Sequence, residues 1–161
     1  MALKADRIHV DSQIDYFMNE VAERGGIASV STAGSGAAMD SATQLCTYRA
    51  LQSGAIPLGV LMCDMVNNDL LRQHENWHKE EVQIGGKVTI WNKGTVVTDR
   101  VHYLSTPTAG APAYIGPSGF ISHLATHNTQ ETGELLHKYQ VGRFLSTKDE
   151  DGYCKVSVNL P

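Results

Sequence analysis

The chain has 161 residues, which is enough for one compact domain, and only 19% of them are Asp, Glu, Lys or Arg. A net charge of -4 does not favour a broad nucleic-acid surface, and no apolar run is long enough to span a membrane. The first residues lack the apolar core of a secretory signal, and the three cysteines form no CxxC pair, which is typical of buried thiols in a reducing compartment. We therefore expect neither nucleic acid nor a membrane as a partner.

Residues 1–24 differ in pattern from the rest of the chain. Ile8 and Val10 alternate with polar neighbours, as in a strand, and a helical spacing follows at Ile14, Phe17, Met18 and Val21. This segment is predicted to be an interaction arm that holds a short strand and one or two helical turns.

A stretch of small residues separates this segment from the remaining sequence. Residues 27–42 contain few large side chains, and 31–42 is predicted to be an exposed loop. We therefore expect an N-terminal arm and flexible segment over 1–42, followed by a β domain over 43–161 with a polar insertion at 67–81.

From Leu45 onward, short apolar and β-branched runs separated by turn residues predict strands. The residues Asn92, Lys93 and Gly94 predict a tight turn, and short helices are expected in 67–81 and 128–138. The strand candidates, in chain order, are 45–51, 56–66, 82–84, 87–91, 95–104, 113–115, 120–122, 141–147 and 153–160.

Two parts of the chain share one pattern. Residues 58–66 are followed by a Gly-Lys-Val strand at 86–90, and residues 141–147 are followed by a similar strand at 152–158. The pattern predicts two related β-hairpins. We therefore expect a mainly β fold, with a small β-barrel or a β-tulip or sandwich core, an N-terminal arm and one or two short helices.

The strongest chemical motif is the H-E-x-x-H match formed by His74, Glu75 and His78. On a helix, two His residues at this spacing can bind zinc while the Glu acts as a general base. The extended form of the motif needs Gly and His where this chain has Glu81 and Ile84. The motif alone is therefore incomplete.

A third zinc ligand is also hard to find later in the chain. The candidates Glu131 and Glu134 flank Gly133, which weakens a helix there. We therefore predict no catalytic residues, no cofactor and no metal site, and we expect elemental analysis of the purified protein to find no stoichiometric zinc. A zinc metallohydrolase that uses the motif at 74–78 is the alternative function.

The order of the glycine-based motifs from 56 to 160 resembles that of the capsid decoration, or cement, proteins of tailed bacteriophages. The motifs are 57–62, 86–90, 94–97, 110–115, 118–121, 141–145 and 152–158. The resemblance implies a structural protein and not an enzyme. It implies binding to the major capsid protein on the outer surface of the virion, synthesis in the host cytoplasm, and self-association, typically as a homotrimer. Another phage component, of the tail or of a fibre, is a further alternative.

Apolar side chains outside the predicted core are the candidates for contact with the capsid or with other subunits. A lone subunit would leave such side chains and strand edges exposed. The candidate interface residues are Ile8, Val10, Ile14, Tyr16 and Phe17 in the arm, and Trp77 in the polar insertion.

Overall fold

The structure is a computed structural model, and it describes residues 9–33, 44–49, 55–64, 81–124 and 139–160. These residues form strands β1 (His9–Met18), β2 (Ala22–Glu23), β3 (Ile27–Ala33), β4 (Gln44–Thr47), β5 (Pro57–Asp64), β6 (Glu81–Val82), β7 (Lys87–Thr98), β8 (Pro112–Ile115), β9 (Ile121–Ser122), β10 (Gln140–Phe144) and β11 (Cys154–Asn159). A 3-10 turn spans Pro117–Gly119. Within these ranges, no helix has the length and apolar character needed to cross a membrane. The prediction of a mainly β fold is confirmed.

Nine strands form one sheet in the order β1-β4-β3-β5-β7-β11-β10-β8-β9, and β2 pairs with β6. Because β7 also pairs with β1, part of the sheet forms a closed ring, which consists of β1, β4, β3, β5 and β7. The strands β11, β10, β8 and β9 instead extend from β7 as an open row that ends at β9. The prediction of a closed barrel is therefore wrong for the sheet as a whole, because this row does not return to β1.

The apolar core lies in two clusters on opposite faces of the shared strands. Successive residues of a strand point to opposite faces, so on β5 Val60 and Met62 belong to the first core cluster and Leu61 belongs to the second. The first core cluster also receives buried residues from the open row, including Ile121, Val141, Phe144, Val156 and Val158. The second core cluster contains Met18, Ala22, Ala28, Cys46, Leu61, Val82, Val88 and Ile90.

The structure does not confirm a separate arm over His9–Glu23. The strand β1 pairs antiparallel with β7, from His9 opposite Thr95 to Phe17 opposite Lys87, and Met18 is fully buried in the second core cluster. Helical turns were expected around Ile14 to Val21, but β1 is extended as far as Met18, because strand pairing outweighs the local apolar spacing.

The small-residue segment also contributes to the sheet. Ile27 and Ala28 on β3 are fully buried, one in each core cluster, although this stretch has few large side chains. Ala28 lies opposite Gly59 of β5, and small side chains allow the two strands to pack there. The predicted boundary at 42–43, the rest of the predicted loop at 34–42 and most of the insertion at 67–81 lie outside the described residues, as does the helix predicted at 128–138.

The strands predicted from residue 45 onward are largely confirmed, but the predicted turn at 92–94 is not. The strand β7 runs without interruption from Lys87 to Thr98. Gly94 has φ +154°, and a Cβ atom there would lie 2.2 Å from the carbonyl oxygen of His9. This glycine therefore permits the close approach of β1, and it does not reverse the chain.

Candidate functional site

The strand β1 carries four of the predicted contact residues, namely Val10, Ile14, Tyr16 and Phe17, and all four are half-buried. Ile14 and Tyr16 pack against the second core cluster, so part of their apolar surface stabilises the protein's own fold. The other two predicted contact residues, Ile8 and Trp77, lie outside the described residues.

Among the described residues, the outer edge of β1 is unpaired along most of its length. The neighbouring strand β4 pairs only with Phe17 and Met18, and no other described strand pairs with this edge from His9 to Tyr16. Free N–H and C=O groups on such an edge can pair with another chain. Irregular register between Val10 and Gln13, together with exposed charge at Asp11, limits indiscriminate pairing. The edge therefore suits a partner of matching shape.

Side chains fix the end of β1 to β4. The Glu20 carboxylate accepts hydrogen bonds from Thr47 Oγ1 and from the Tyr48 backbone N–H, both at 2.5 Å. The Tyr48 hydroxyl donates to the Glu23 carbonyl (2.8 Å) and accepts from the Gly26 N–H (3.0 Å). Burial raises the pKa of Tyr48 above its usual value, so the hydroxyl stays protonated and able to donate. These bonds hold the β1 edge in a defined position.

A second set of polar contacts joins β2 to the end of β7. Arg100 forms an ion pair with Glu23, and its guanidinium lies 5.5 Å from the centroid of the Phe120 ring. Thr98 Oγ1 donates to the carbonyl of Gly25 at 2.9 Å. Each of these contacts links two parts of the fold, so we assign the cluster a structural role.

The pair Ser105 and His123 resembles a nucleophile and its base, because Ser105 Oγ lies 2.7 Å from His123 Nδ1. However, Ser105 is fully buried, and its Oγ also accepts a hydrogen bond from the His123 backbone N–H. A nucleophile must reach its substrate, so this serine holds two loops together and does not present a reactive hydroxyl.

Three exposed apolar side chains surround this loop pair: Tyr103 (79% exposed), Leu104 (57%) and Leu124 (40%). Nearby, burial and the charge of Lys148 lower the pKa of His102, which favours the neutral ring at neutral pH. The Lys148 ammonium donates to the carbonyl of His102 at 3.1 Å. The three apolar side chains form a small surface next to a fixed loop.

A polar groove lies on the outer face of β10 and β11, and we call it the β10–β11 groove. It has a volume of about 560 Å³ and is lined by Gln140, Gly142, Arg143, Leu145, Ser157 and Asn159. Arg143 carries the only charge among these lining residues. This groove was not predicted from the sequence, although the alternation of Lys155, Ser157 and Asn159 with buried residues on β11 indicates a strand with one free face.

Metal and thiol chemistry find little support in the described residues. No group of three or more His, Cys, Asp or Glu side chains in these ranges is placed to hold a metal ion, and the motif at 74–78 lies outside them. Cys46 and Cys154 are free and buried, as predicted, and burial raises their pKa values to about 12 and about 11. Their thiols are therefore uncharged at neutral pH.

Comparison with known proteins gives no family assignment, since no family model and no curated protein matches the chain.

Proposed function

We propose that this protein is a structural component of a phage virion that decorates the assembled capsid and stabilises it. In this proposal it binds the major capsid protein on the outer surface of the shell, acts as a homo-oligomer, most simply a trimer, and has no enzymatic activity. The resemblance carried by the glycine-based motifs supports the virion as its location. The observation that carries the proposal furthest is the edge of β1 that no described strand pairs, held in place by the bonds of Glu20 and Tyr48.

The β1 edge fits this function for a physical reason. A strand edge offers a row of backbone donors and acceptors, and pairing with an extended segment of another protein satisfies them. The half-buried side chains of Val10 and Phe17 add apolar surface to the same strand. A contact of this type gives specificity without a deep pocket.

Stabilisation of the shell then follows from linkage. A protein that binds the assembled lattice but not its dissociated subunits shifts the equilibrium towards the shell. When several copies are joined, the second and third contacts are intramolecular, so contacts that are weak individually become effective together.

The test is a heating or osmotic-shock experiment on capsids with and without the protein, at confirmed saturating occupancy. We expect more intact shells in the presence of the protein. The variant Gln13→Lys alters an exposed residue on β1 and should weaken binding, whereas Thr147→Lys introduces the same residue at an exposed site outside β1 and should not. Equal survival with and without the bound protein would rule out a stabilising role.

A further inference from the structure

The outer face of β10, β11 and the neighbouring part of β7 carries three positive charges. Arg143 lies opposite Ser157, and Lys93 lies opposite Asn159, so their side chains share a face with Lys155. All three basic residues are exposed. Within the described ranges, their charged groups form no ion pair or hydrogen bond. This face is positive although the net charge of the chain is -4.

The tip of the same hairpin carries the opposite charge. Asp149, Glu150 and Asp151 are consecutive and exposed. Asp149 Oδ1 accepts hydrogen bonds from the N–H groups of Asp151 (3.1 Å) and Tyr153 (2.7 Å), which fixes the shape of the turn. The carboxylates of Glu150 and Asp151 have no hydrogen-bond or ion-pair partner in the described part of the chain. The tip is therefore a fixed acidic projection.

The acidic tip lies at the end of the hairpin that joins β10 to β11. Backbone hydrogen bonds from Leu145 to Lys155 and from Asp149 to Tyr153 hold the two arms of the hairpin together beyond β10. Glu150 lies seven positions after Arg143, which corresponds to up to about 23 Å of extended chain. This spacing favours contact between the complementary charges of different copies.

We propose that the acidic tip of one copy, residues 149–151, binds in the β10–β11 groove of a second copy. This inference rests on the proposed function in that it specifies how the copies join. Every chain carries both halves of the contact, with acidic residues on the tip and Lys93, Arg143 and Lys155 around the groove. A volume of about 560 Å³ is large enough for several side chains of a turn.

A Cβ atom on Gly142 would lie 1.9 Å from the carbonyl oxygen of Ser157, so this glycine allows β10 and β11 to pair closely beside the groove. A contact between two different surfaces of the same chain generates a closed ring when the rotation between copies allows it, as in a trimer.

Charge reversal tests this contact. The triple variant Lys93→Glu, Arg143→Glu and Lys155→Glu alters only the groove, and the double variant Glu150→Lys with Asp151→Lys alters only the tip. We expect each of these two variants to weaken self-association at least tenfold, measured by analytical ultracentrifugation at low salt. All five changes in one chain should restore association, because the reversed charges are again complementary. Unchanged association of the groove variant or of the tip variant, or no restoration, would overturn the proposal.

Two controls separate folding and function from this contact. Thermal unfolding of each variant should match that of the parent chain, since all altered side chains are exposed. Association should also weaken as salt is raised. If copies associate only on the shell, a disulfide between Arg143→Cys and Glu150→Cys on neighbouring copies should form on capsids. No association in solution and no such crosslink on the shell would also overturn the contact.

Failure of the proposed function gives a different result. In that case the parent chain would still associate in a salt-sensitive way that depends on Arg143, but it would neither bind nor protect capsids. Failure of the inference alone would leave capsid binding and shell protection intact, with the charge-reversed variants behaving as the parent chain does.

Discussion

The pair β5 and β7 and the pair β10 and β11 have the same sequence pattern and pair in the same antiparallel way, yet their surroundings differ. The β5 strand lies between the two core clusters, because β1, β3 and β4 complete a ring with β5 and β7. The strands β10 and β11 have one face on the first core cluster and one face open. The same sequence pattern thus forms a buried strand pair at β5 and β7 and a pair with one accessible face at β10 and β11.

The largest effect on stability is expected when the strands that enclose β5 and β7 are removed. Deletion of residues 1–42 eliminates β1, β2 and β3, and with them Met18, Ile27 and Ala28. We expect complete loss of the cooperative thermal transition, because both core clusters lose buried residues. A truncated chain that still unfolds cooperatively would show that the arm predicted over 1–42 is separable after all.

Removal of the open hairpin's tip is the matching control. Replacement of residues 149–151 by Ser-Gly-Ser leaves the core residues of β10 and β11 in place. We expect this variant to keep its cooperative transition in the same thermal scan. A loss of cooperativity there would show that the tip is needed for folding.

A glycine in each pair gives a second test. A Cβ atom on Gly59 would lie 2.2 Å from the Trp91 carbonyl oxygen, and one on Gly142 would lie 1.9 Å from that of Ser157. Gly59 also has φ +147°, a conformation that other residues rarely adopt. We therefore expect Gly59→Ala to reduce the free energy of unfolding by about 3 kcal/mol or more, and Gly142→Ala by somewhat less.

The control is Gly152→Ala, because φ at Gly152 is +88° but no atom lies within 4 Å of the added Cβ. We expect a loss of about 1 kcal/mol from backbone strain alone. Urea unfolding gives all three values. Similar losses in the free energy of unfolding at the three sites would show that Gly59 and Gly142 are not required for close approach of the strands.

Substitution of one leucine in each pair tests the difference in burial directly. Leu61 on β5 is fully buried, whereas Leu145, directly after β10, is 43% exposed. We expect Leu61→Ala to cost about 3 kcal/mol in the free energy of unfolding, and Leu145→Ala less than about 0.5 kcal/mol. Equal costs in urea unfolding would contradict the view that only one pair has an open face.

The later strands were predictable from sequence because their patterns are local. On β11, buried Cys154, Val156 and Val158 alternate with polar residues, and turn residues mark the strand ends. The first strands were harder to predict, since the extended state of β1 depends on pairing with β7, far away in sequence. The same holds for the β10–β11 groove, because the position of Arg143 beside Ser157 depends on the register between two strands.

A pH-dependent effect is expected from the two buried thiols, one in each core cluster. Burial raises the pKa of Cys46 to about 12 and that of Cys154 to about 11, from about 9 in the unfolded chain. Because the folded pKa values are raised, the stabilising contribution is complete below pH 9 and is lost as the pH rises above it. At pH 10 each thiol should therefore have lost on the order of 1 kcal/mol of stability.

The variants Cys46→Ala and Cys154→Ala isolate this contribution. Each leaves a small cavity that shifts stability by the same amount at every pH, so the informative quantity is the change in the free energy of unfolding between pH 8 and pH 10. We expect each variant to lose on the order of 1 kcal/mol less than the parent chain over this interval, and the double variant about twice that difference, because the two thiols lie in separate clusters. A pH dependence identical to that of the parent chain would mean that these thiols are accessible to solvent in the folded protein.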